Sequence, residues 1–258
     1  STSAEQITEG LVVAEAHAQA GVELAERLGD DALLSDALAG LAITRFNLAR
    51  DDAPEHAERA FALAGDEPTN RMEASFALVH VLVWSRRLER ARALLEDLVQ
   101  VWSERDERLA ANALWYLSLT EFHAGRLALA DDLATRAREL SVQYAPEADE
   151  APQNVFPLML IAAARGRVDR ARELAELGAQ FAVNLGSRLG GNFRAMTATL
   201  DAWAGDTQRA VEIFAGNLRN LLVASLISLT DASSGPCTVR VTGVVRSNVA
   251  EITVNVQP

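Results

Sequence analysis

The sequence contains no lysine, a single cysteine and no long apolar run, and each absence excludes a class of protein. A lone Cys237 excludes an internal disulfide, and with only four histidines it also excludes a cysteine-rich zinc site. No apolar stretch reaches the roughly 18 residues that cross a bilayer. Without lysine, a phosphate-binding loop of the form G-x-x-x-x-G-K-S/T cannot exist. We therefore expect a cytoplasmic protein without a membrane span, a structural zinc or a P-loop ATPase site.

Basic residues are in deficit, with 24 arginines against 36 acidic residues and a net charge of -12. This charge repels phosphate backbones and anionic membranes, so neither a nucleic acid nor a membrane is expected as a partner. Hydrophobic residues make up 49% of the chain, which is enough for a continuous core. The use of arginine alone, together with many alanines and leucines, is typical of a GC-rich genome.

Three short phrases recur along the chain and indicate a helical repeat protein. They begin at Gly125, Gly166 and Gly205, and in each an alanine follows the glycine by five residues. Glycine adopts the left-handed conformation that ends a helix, and a small alanine lets the next helix pack closely on its partner. The shortest interval between these alanines equals the tetratricopeptide period. The intervals are 34, 39, 41 and 39 residues, between Ala57, Ala91, Ala130, Ala171 and Ala210.

Between the turns, apolar residues recur every three or four positions, which predicts one buried stripe per helix. The predicted helices cover residues 4–28, 31–50, 54–64, 69–86, 88–105, 107–124, 126–144, 152–165, 167–185, 189–204 and 206–215. Stacked helix pairs bury a continuous core and leave a concave side. The fold expected for residues 1–216 is therefore all-α, an α-solenoid of tetratricopeptide-like helix pairs.

The pattern changes in residues 217–258, which are predicted to form a separate, atypical tail. Residues 218–229 are apolar without a charged face and predict an apolar helix, whereas 238–242 and 251–256 alternate like half-buried strands. We expect a short C-terminal β-hairpin over residues 238–256. Because two strands alone are marginal in water, the hairpin must dock on the last helices or pair with another chain. An altered reading frame, a fusion and natural divergence could each produce such a junction.

The segment 162–174, AAARGRVDRAREL, resembles the helical repeat region of large ATP-binding LuxR-type transcriptional regulators of actinobacteria. The resemblance covers about residues 1–215. It implies a piece of such a regulator, in which the repeats sense effectors and contact proteins between a nucleotide-binding module and a DNA-binding helix-turn-helix. Neither flanking module is visible in this sequence, so ATPase activity and DNA binding are not expected of it.

The first helix of each pair should line the concave groove, and counting backward from the glycine turns identifies its residues. Aromatic walls with a few polar groups suit an apolar or planar ligand, or a partner helix. The alternative is that these rings pack between neighbouring helices. The residues expected in the groove are Phe46, Arg50, Glu73, Phe76, His80, Trp84, Asn112, Trp115, Leu119, Phe122, His123, Phe156, Asn192, Thr199 and Trp203.

Two groove histidines support the only catalytic hypothesis. His80 and His123 could meet across adjacent repeats, with Glu73 or Glu121 nearby, as a metal site or an acid-base pair. Their spacing matches no metal motif, so we expect neither a metal nor another cofactor.

The sequence thus predicts a non-enzymatic scaffold that binds a partner protein, a peptide or a small effector in its groove. Two alternatives stay open at this point. One is a weak or metal-dependent hydrolase that uses the groove histidines and carboxylates. The other is a structural piece that forms homo-oligomers through its C-terminal hairpin.

Overall fold

The computed structural model describes residues 2–65, 68–145, 152–184, 189–203, 205, 239–246 and 249–256. The helices within these residues are α1 (Thr2–Leu28), α2 (Asp31–Asn47), α3 (Ala53–Leu63), α4 (Pro68–Trp84), α5 (Leu88–Ser103), α6 (Glu107–His123), α7 (Leu127–Tyr144), α8 (Pro152–Ala164), α9 (Val168–Asn184) and α10 (Leu189–Trp203). The strands are β1 (Val239–Arg246) and β2 (Val249–Val256). Each of the first ten predicted helices is confirmed. The helices predicted at 206–215 and 218–229 lie outside the described residues.

The turns that end α2, α4, α6 and α8 close in the same way. The residues in the left-handed conformation are Ala49, Arg86, Gly125 and Gly166, with φ between 55 and 77°. In each turn this residue donates its N–H to the carbonyl three positions earlier, and the next N–H reaches the carbonyl five positions earlier, at 2.9 to 3.1 Å. This pair of bonds is the Schellman motif, which satisfies carbonyls at the end of a helix. The predicted left-handed glycines are confirmed, and two units use Ala49 and Arg86 instead.

The 34-residue interval between Ala57 and Ala91 is short mainly because of the α2–α3 turn, since the left-handed turn residues Ala49 and Arg86 lie 37 residues apart. Helix α5 begins two residues after the turn residue Arg86, whereas α3 begins four residues after Ala49. The longer α2–α3 turn moves Ala57 along the chain and shortens the interval to the next alanine. Both alanines are fully buried, as are Ala130 and Ala171, so the predicted close approach of the second helices is confirmed.

The chain divides into two compact units, residues 1–120 and 121–258, with the boundary inside α6. In the first unit, α2 packs on α1, α3 and α4 together, and α4 also packs on α3 and α5. Small and branched side chains fill the space between these helices, as the close approach of helix axes requires. The core cluster consists of Val22, Ala25, Leu34, Leu38, Ala39, Leu41, Ala60, Ala64, Ala74 and Ala77.

In the second unit, α8 packs on α7 and α9, and α9 packs on α10. Phe156 of α8 meets Phe193 of α10 edge to face, with ring centroids 5.8 Å apart. The ring of Phe193 lies against Gly178 of α9, at a position where any side chain on residue 178 would overlap it. Helices α9 and α10 therefore approach closely only because residue 178 is glycine.

The strands β1 and β2 pair antiparallel, with Val239 opposite Val256 and Arg246 opposite Val249. The β-hairpin expected over residues 238–256, its docking on the last helices or pairing with another chain, and a separate tail from residue 217 onward stay predictions. Among the described helices, none is long and apolar enough to cross a membrane.

Candidate functional site

Three consecutive first helices of the first unit, α2, α4 and α6, carry a group of aromatic side chains. None of these residues is fully buried, whereas the alanines and leucines beside them are. Only 5% of the chain is aromatic, so these rings are concentrated on the three helices. We name this group the aromatic cluster, and its members are Phe46, Phe76, His80, Trp84, Trp115 and Tyr116.

His80 of α4 is the centre of the aromatic cluster. Its ring meets Phe46 of α2 at a centroid distance of 5.4 Å and Trp84, one turn later on α4, at 6.3 Å. On the other side, its Nδ1 lies 3.1 Å from the hydroxyl oxygen of Tyr116 on α6, within hydrogen-bond distance. Phe76 lies beside Tyr116 at 6.2 Å. One side chain thus links all three first helices.

The polar atoms of the His80–Tyr116 pair lie inside the cluster. The Nε2 atom of His80 is buried and has no hydrogen-bond partner among the residues that the structure describes. Burial lowers the pKa of His80 to about 4 and raises the pKa of Tyr116 to about 12. Both side chains are consequently neutral between pH 5 and 8, because an isolated buried charge is not solvated there.

The catalytic hypothesis gains no support from this geometry. No carboxylate pairs with His80 in the part of the chain that the structure describes, and Glu73 is an exposed residue. Glu121 is buried and pairs with Arg126, while the ring of His123 packs on Phe122 at 5.3 Å. Within the described residues, no group of three or more potential ligands could hold a metal ion. A histidine whose pKa lies near 4 is a weak base at pH 7, because general acid-base catalysis is most efficient when the pKa is close to the working pH.

Several predicted groove residues are core residues instead. Leu119, Phe122 and Phe156 are 0, 4 and 5% exposed, so the expectation that they line a groove is wrong. Glu73, Asn112 and Arg50 are exposed, and Arg50 pairs with Glu15 of α1 at 3.1 Å.

The remaining predicted groove residues belong to the second unit. Trp203 is 44% exposed at the end of α10, and His123 is partly exposed at the end of α6. The hydroxyl of Thr199 donates to the carbonyl of Ala195, one turn earlier on its own helix. The side chain of Asn192 lies outside the described residues.

Tyr116 is the member of the aromatic cluster that the sequence pattern missed. Counting from the glycine turn selects Trp115 and Leu119 on α6 and skips the residue that contacts His80. The contacting residues in fact step back along successive helices. Phe46 lies one residue before the end of α2, His80 four before the end of α4 and Tyr116 seven before the end of α6.

A second feature that the pattern missed is an ion-pair network beside Phe46. Arg45 of α2 reaches Glu15 of α1 at 3.3 Å, Asp52 in the α2–α3 turn and the Nε2 atom of His56 on α3 at 2.9 Å. The guanidinium group of Arg45 thus connects α1, the α2–α3 turn and α3. Its partners lie within reach because α1 and α3 both pack on α2, which sequence spacing does not reveal.

The fold of the chain resembles those of solved helical repeat proteins. BtubC (BKLC) from P. vanneervenii is 18% identical, with a TM-score of 0.57 over 92% of this chain and 99% of that one. RapI in its apo form is 14% identical, with a TM-score of 0.56, and the match spans 81% of this chain and 59% of RapI. A putative kinesin light chain of Podosopora anserina with TPR-like repeats is 16% identical, with a TM-score of 0.46 over 71% of this chain and 92% of that one.

No protein-family model matches the chain, and no curated protein matches its sequence. The origin in a LuxR-type actinobacterial regulator therefore stays a prediction. At 14 to 18% identity, the similar structures show the fold alone. The chain has the tetratricopeptide-like helical repeat fold of an α-solenoid.

Proposed function

We propose that this helical repeat scaffold binds a segment of a partner protein across the aromatic cluster. The observation that supports the proposal is the row of partly exposed rings on α2, α4 and α6, centred on His80. Large rings that stay partly exposed on adjacent helices offer apolar area that a partner can cover. Aromatic residues of this kind contribute much of the free energy of binding in protein interfaces.

The extent of the cluster favours a peptide segment over a small effector. Neighbouring packed helices lie about 8 to 10 Å apart, so a cluster on three of them extends over roughly 20 Å. That span equals about six residues of extended chain. Exposed polar residues border the rings, among them Glu73 and Asn112, and these can bond to the backbone of a bound segment.

The chemistry of the cluster indicates an apolar, uncharged contact. His80 and Tyr116 stay neutral near pH 7, and their hydrogen bond holds the two rings in place. The bound segment should therefore present aromatic or aliphatic side chains. The resemblance to LuxR-type regulators adds the proposal that such contacts serve transcriptional regulation in the cytoplasm.

Peptide display tests this proposal with the full chain as target. Peptides selected on the protein should bind the Trp84→Ala variant at least about tenfold more weakly, because a central ring of an interface typically contributes that much. Fluorescence anisotropy of labelled peptides measures both dissociation constants. Trp84 is partly exposed, so far-UV circular dichroism should show the same helix content in both proteins.

Tyr144→Ser is the matched control, since this ring is 44% exposed at the end of α7 and lies outside the cluster. It should leave the dissociation constant within twofold of the original protein. Selected peptides that bind Trp84→Ala as tightly as the original protein would overturn the proposal. A co-purifying small molecule that native mass spectrometry detects, and that Trp84→Ala loses, would replace the peptide by a small effector.

Self-association through the hairpin is a second candidate function, favoured by the two-stranded sheet. Within the described strands, β1 and β2 pair only with each other, so each has an open edge. An open edge pairs readily with a strand of another chain. Thr242→Pro removes a backbone donor within β1 and should reduce any homo-oligomer to monomer in analytical ultracentrifugation. An unchanged sedimentation coefficient would exclude the hairpin as the contact.

A further inference from the structure

A stripe of exposed residues runs along α1, on a side of the helix that does not pack on α2. Three of its members are large and apolar, with Val13 at 55%, Leu24 at 49% and Leu28 at 63% exposure. His17 and Ala20 fall between them at helical spacing and are also exposed. We name these five residues the α1 stripe. Exposed apolar stripes of this kind usually mark a contact with another helix.

Helices α1 and α2 carry most of the large apolar side chains that are exposed in the described residues. Eight large hydrophobic residues are exposed in the part of the chain that the structure describes, and five of them lie between residues 12 and 33. Meanwhile α1 buries Leu11, Val22 and Ala25 against α2. Packing on α2 uses one side of α1, so the second apolar side is available for a different contact.

The α1 stripe is one wall of a shallow groove, and α2 provides the other. Leu33, Ala37, Gly40 and Thr44 follow one another at helical spacing on α2, and Leu33 is 50% exposed. The two helices approach closely at Gly21, where an added Cβ would lie 3.9 Å from the Cβ of Ala37. Small residues at the base of a groove allow another helix backbone to approach.

The repeat itself shows what kind of element fits this groove. Helix α2 packs on α3 and α4 at the same time, as a first helix does on its partner and on the next first helix. Helix α1 precedes α2 as α3 precedes α4. A helix that packs on both α1 and α2 would therefore make the same kind of contacts that α2 makes with α3 and α4. Leu38 and Ala39 are buried residues of α2, and the bound helix would bury small and apolar residues at the corresponding positions.

The charged residues at the border of the groove indicate which kind of amphipathic helix would bind there. Each wall of the groove has an exposed carboxylate at its border: Glu23 follows Ala20 by three residues on α1, and Asp36 follows Leu33 by three on α2. Neither carboxylate forms an ion pair in the described part of the chain. The basic residue Arg27 lies in the last turn of α1. The border therefore suits basic side chains, and the net charge of -12 disfavours a second copy of this chain.

We propose that the α1–α2 groove binds one amphipathic helix of a partner protein, with an apolar face and basic residues along its edge. The helix takes the position relative to α1 and α2 that α2 has relative to α3 and α4. The α1 stripe is about 22 Å long, which corresponds to four turns. This surface is distinct from the aromatic cluster, and the inference rests on the repeat geometry rather than on the proposed function.

A peptide based on α2 tests the proposal, because α2 is the template for the contact. The probe is a fluorescein-labelled 17-residue peptide with the sequence of α2 carrying Asp31→Arg and Asp36→Arg. It should bind the full-length protein, and Leu24→Asp in the protein should weaken binding at least about tenfold in fluorescence anisotropy. The peptide with its original aspartates should bind more weakly than the probe.

The control is Leu129→Asp, which alters an equally exposed leucine on α7 and should leave binding unchanged. In addition, Glu23→Arg with Asp36→Arg in the protein should reverse the preference between the two peptides. Circular dichroism should confirm that each variant keeps its helix content. The proposal is overturned by a probe that does not bind, by equal binding to Leu24→Asp, or by a dimer in ultracentrifugation that Leu24→Asp dissociates.

Discussion

Replacing Gly178 with alanine should lower the free energy of unfolding by about 3 kcal/mol, although alanine is normally the better helix former. A Cβ on residue 178 would lie 2.6 Å from Cδ1 of Phe193 and closer still to two other ring atoms. The ring has nowhere to move, because Phe193 is fully buried and packs against Phe156. Helix α9 would have to shift away from α10. Urea unfolding followed by far-UV circular dichroism measures the loss.

The control for this substitution is Gly40→Ala on α2, where no atom lies within 4 Å of the added Cβ. This change should raise the free energy of unfolding by about 0.5 to 1 kcal/mol, because alanine restricts the unfolded chain. Combining Gly178→Ala with Phe193→Leu should recover part of the loss, since leucine is smaller than phenylalanine. Equal effects at residues 40 and 178 would contradict the close packing of α9 on α10.

Lowering the pH from 6.5 to 4 should reduce the stability of the chain more than that of its His80→Gln variant. The pKa of His80 falls from 6.5 to about 4 on folding, because burial disfavours the imidazolium. Between these pH values the unfolded state binds the proton and the folded state does not. The free energy of unfolding therefore decreases as the pH is lowered. The excess loss should reach about 2 to 3 kcal/mol at pH 4. Urea unfolding at several pH values measures it.

His17→Gln serves as the control, because His17 is exposed on α1 and His80 is still present. That variant should keep the pH dependence of the original chain. Proton NMR of the His80 ring in the folded protein gives the pKa directly. A difference in unfolding free energy between the original chain and His80→Gln that stays constant from pH 7 to 4 would show that His80 is not desolvated.

The helices and their turns could be predicted because their causes are local. The left-handed glycines at 125 and 166 close hydrogen bonds to carbonyls only three residues earlier, and their neighbours reach back five. Ala91 and Ala130 are fully buried, as their place in the repeat required. In contrast, Arg86 adopts the same left-handed conformation without being glycine, and its residue type did not indicate this.

The candidate site could be predicted only in part. Phe46, Phe76, His80, Trp84 and Trp115 are partly exposed on the first helices, as expected. Their role in binding stays a prediction. Phe122 follows the same spacing and is nevertheless buried, because periodicity identifies an apolar side of a helix without showing what covers it.

The sequence alone determined where the helices lie, how α6 and α8 end and which small residues the second helices bury. Those features depend on hydrogen bonds and spacings within a few neighbouring residues. Only the tertiary structure decided which side chains of different helices meet. Neighbouring helices are offset along their axes, so the contact of His80 steps back by one turn on each successive helix and reaches Tyr116. Sequence periodicity fixes the rotation of a residue about its helix, but the axial offset comes from packing between helices.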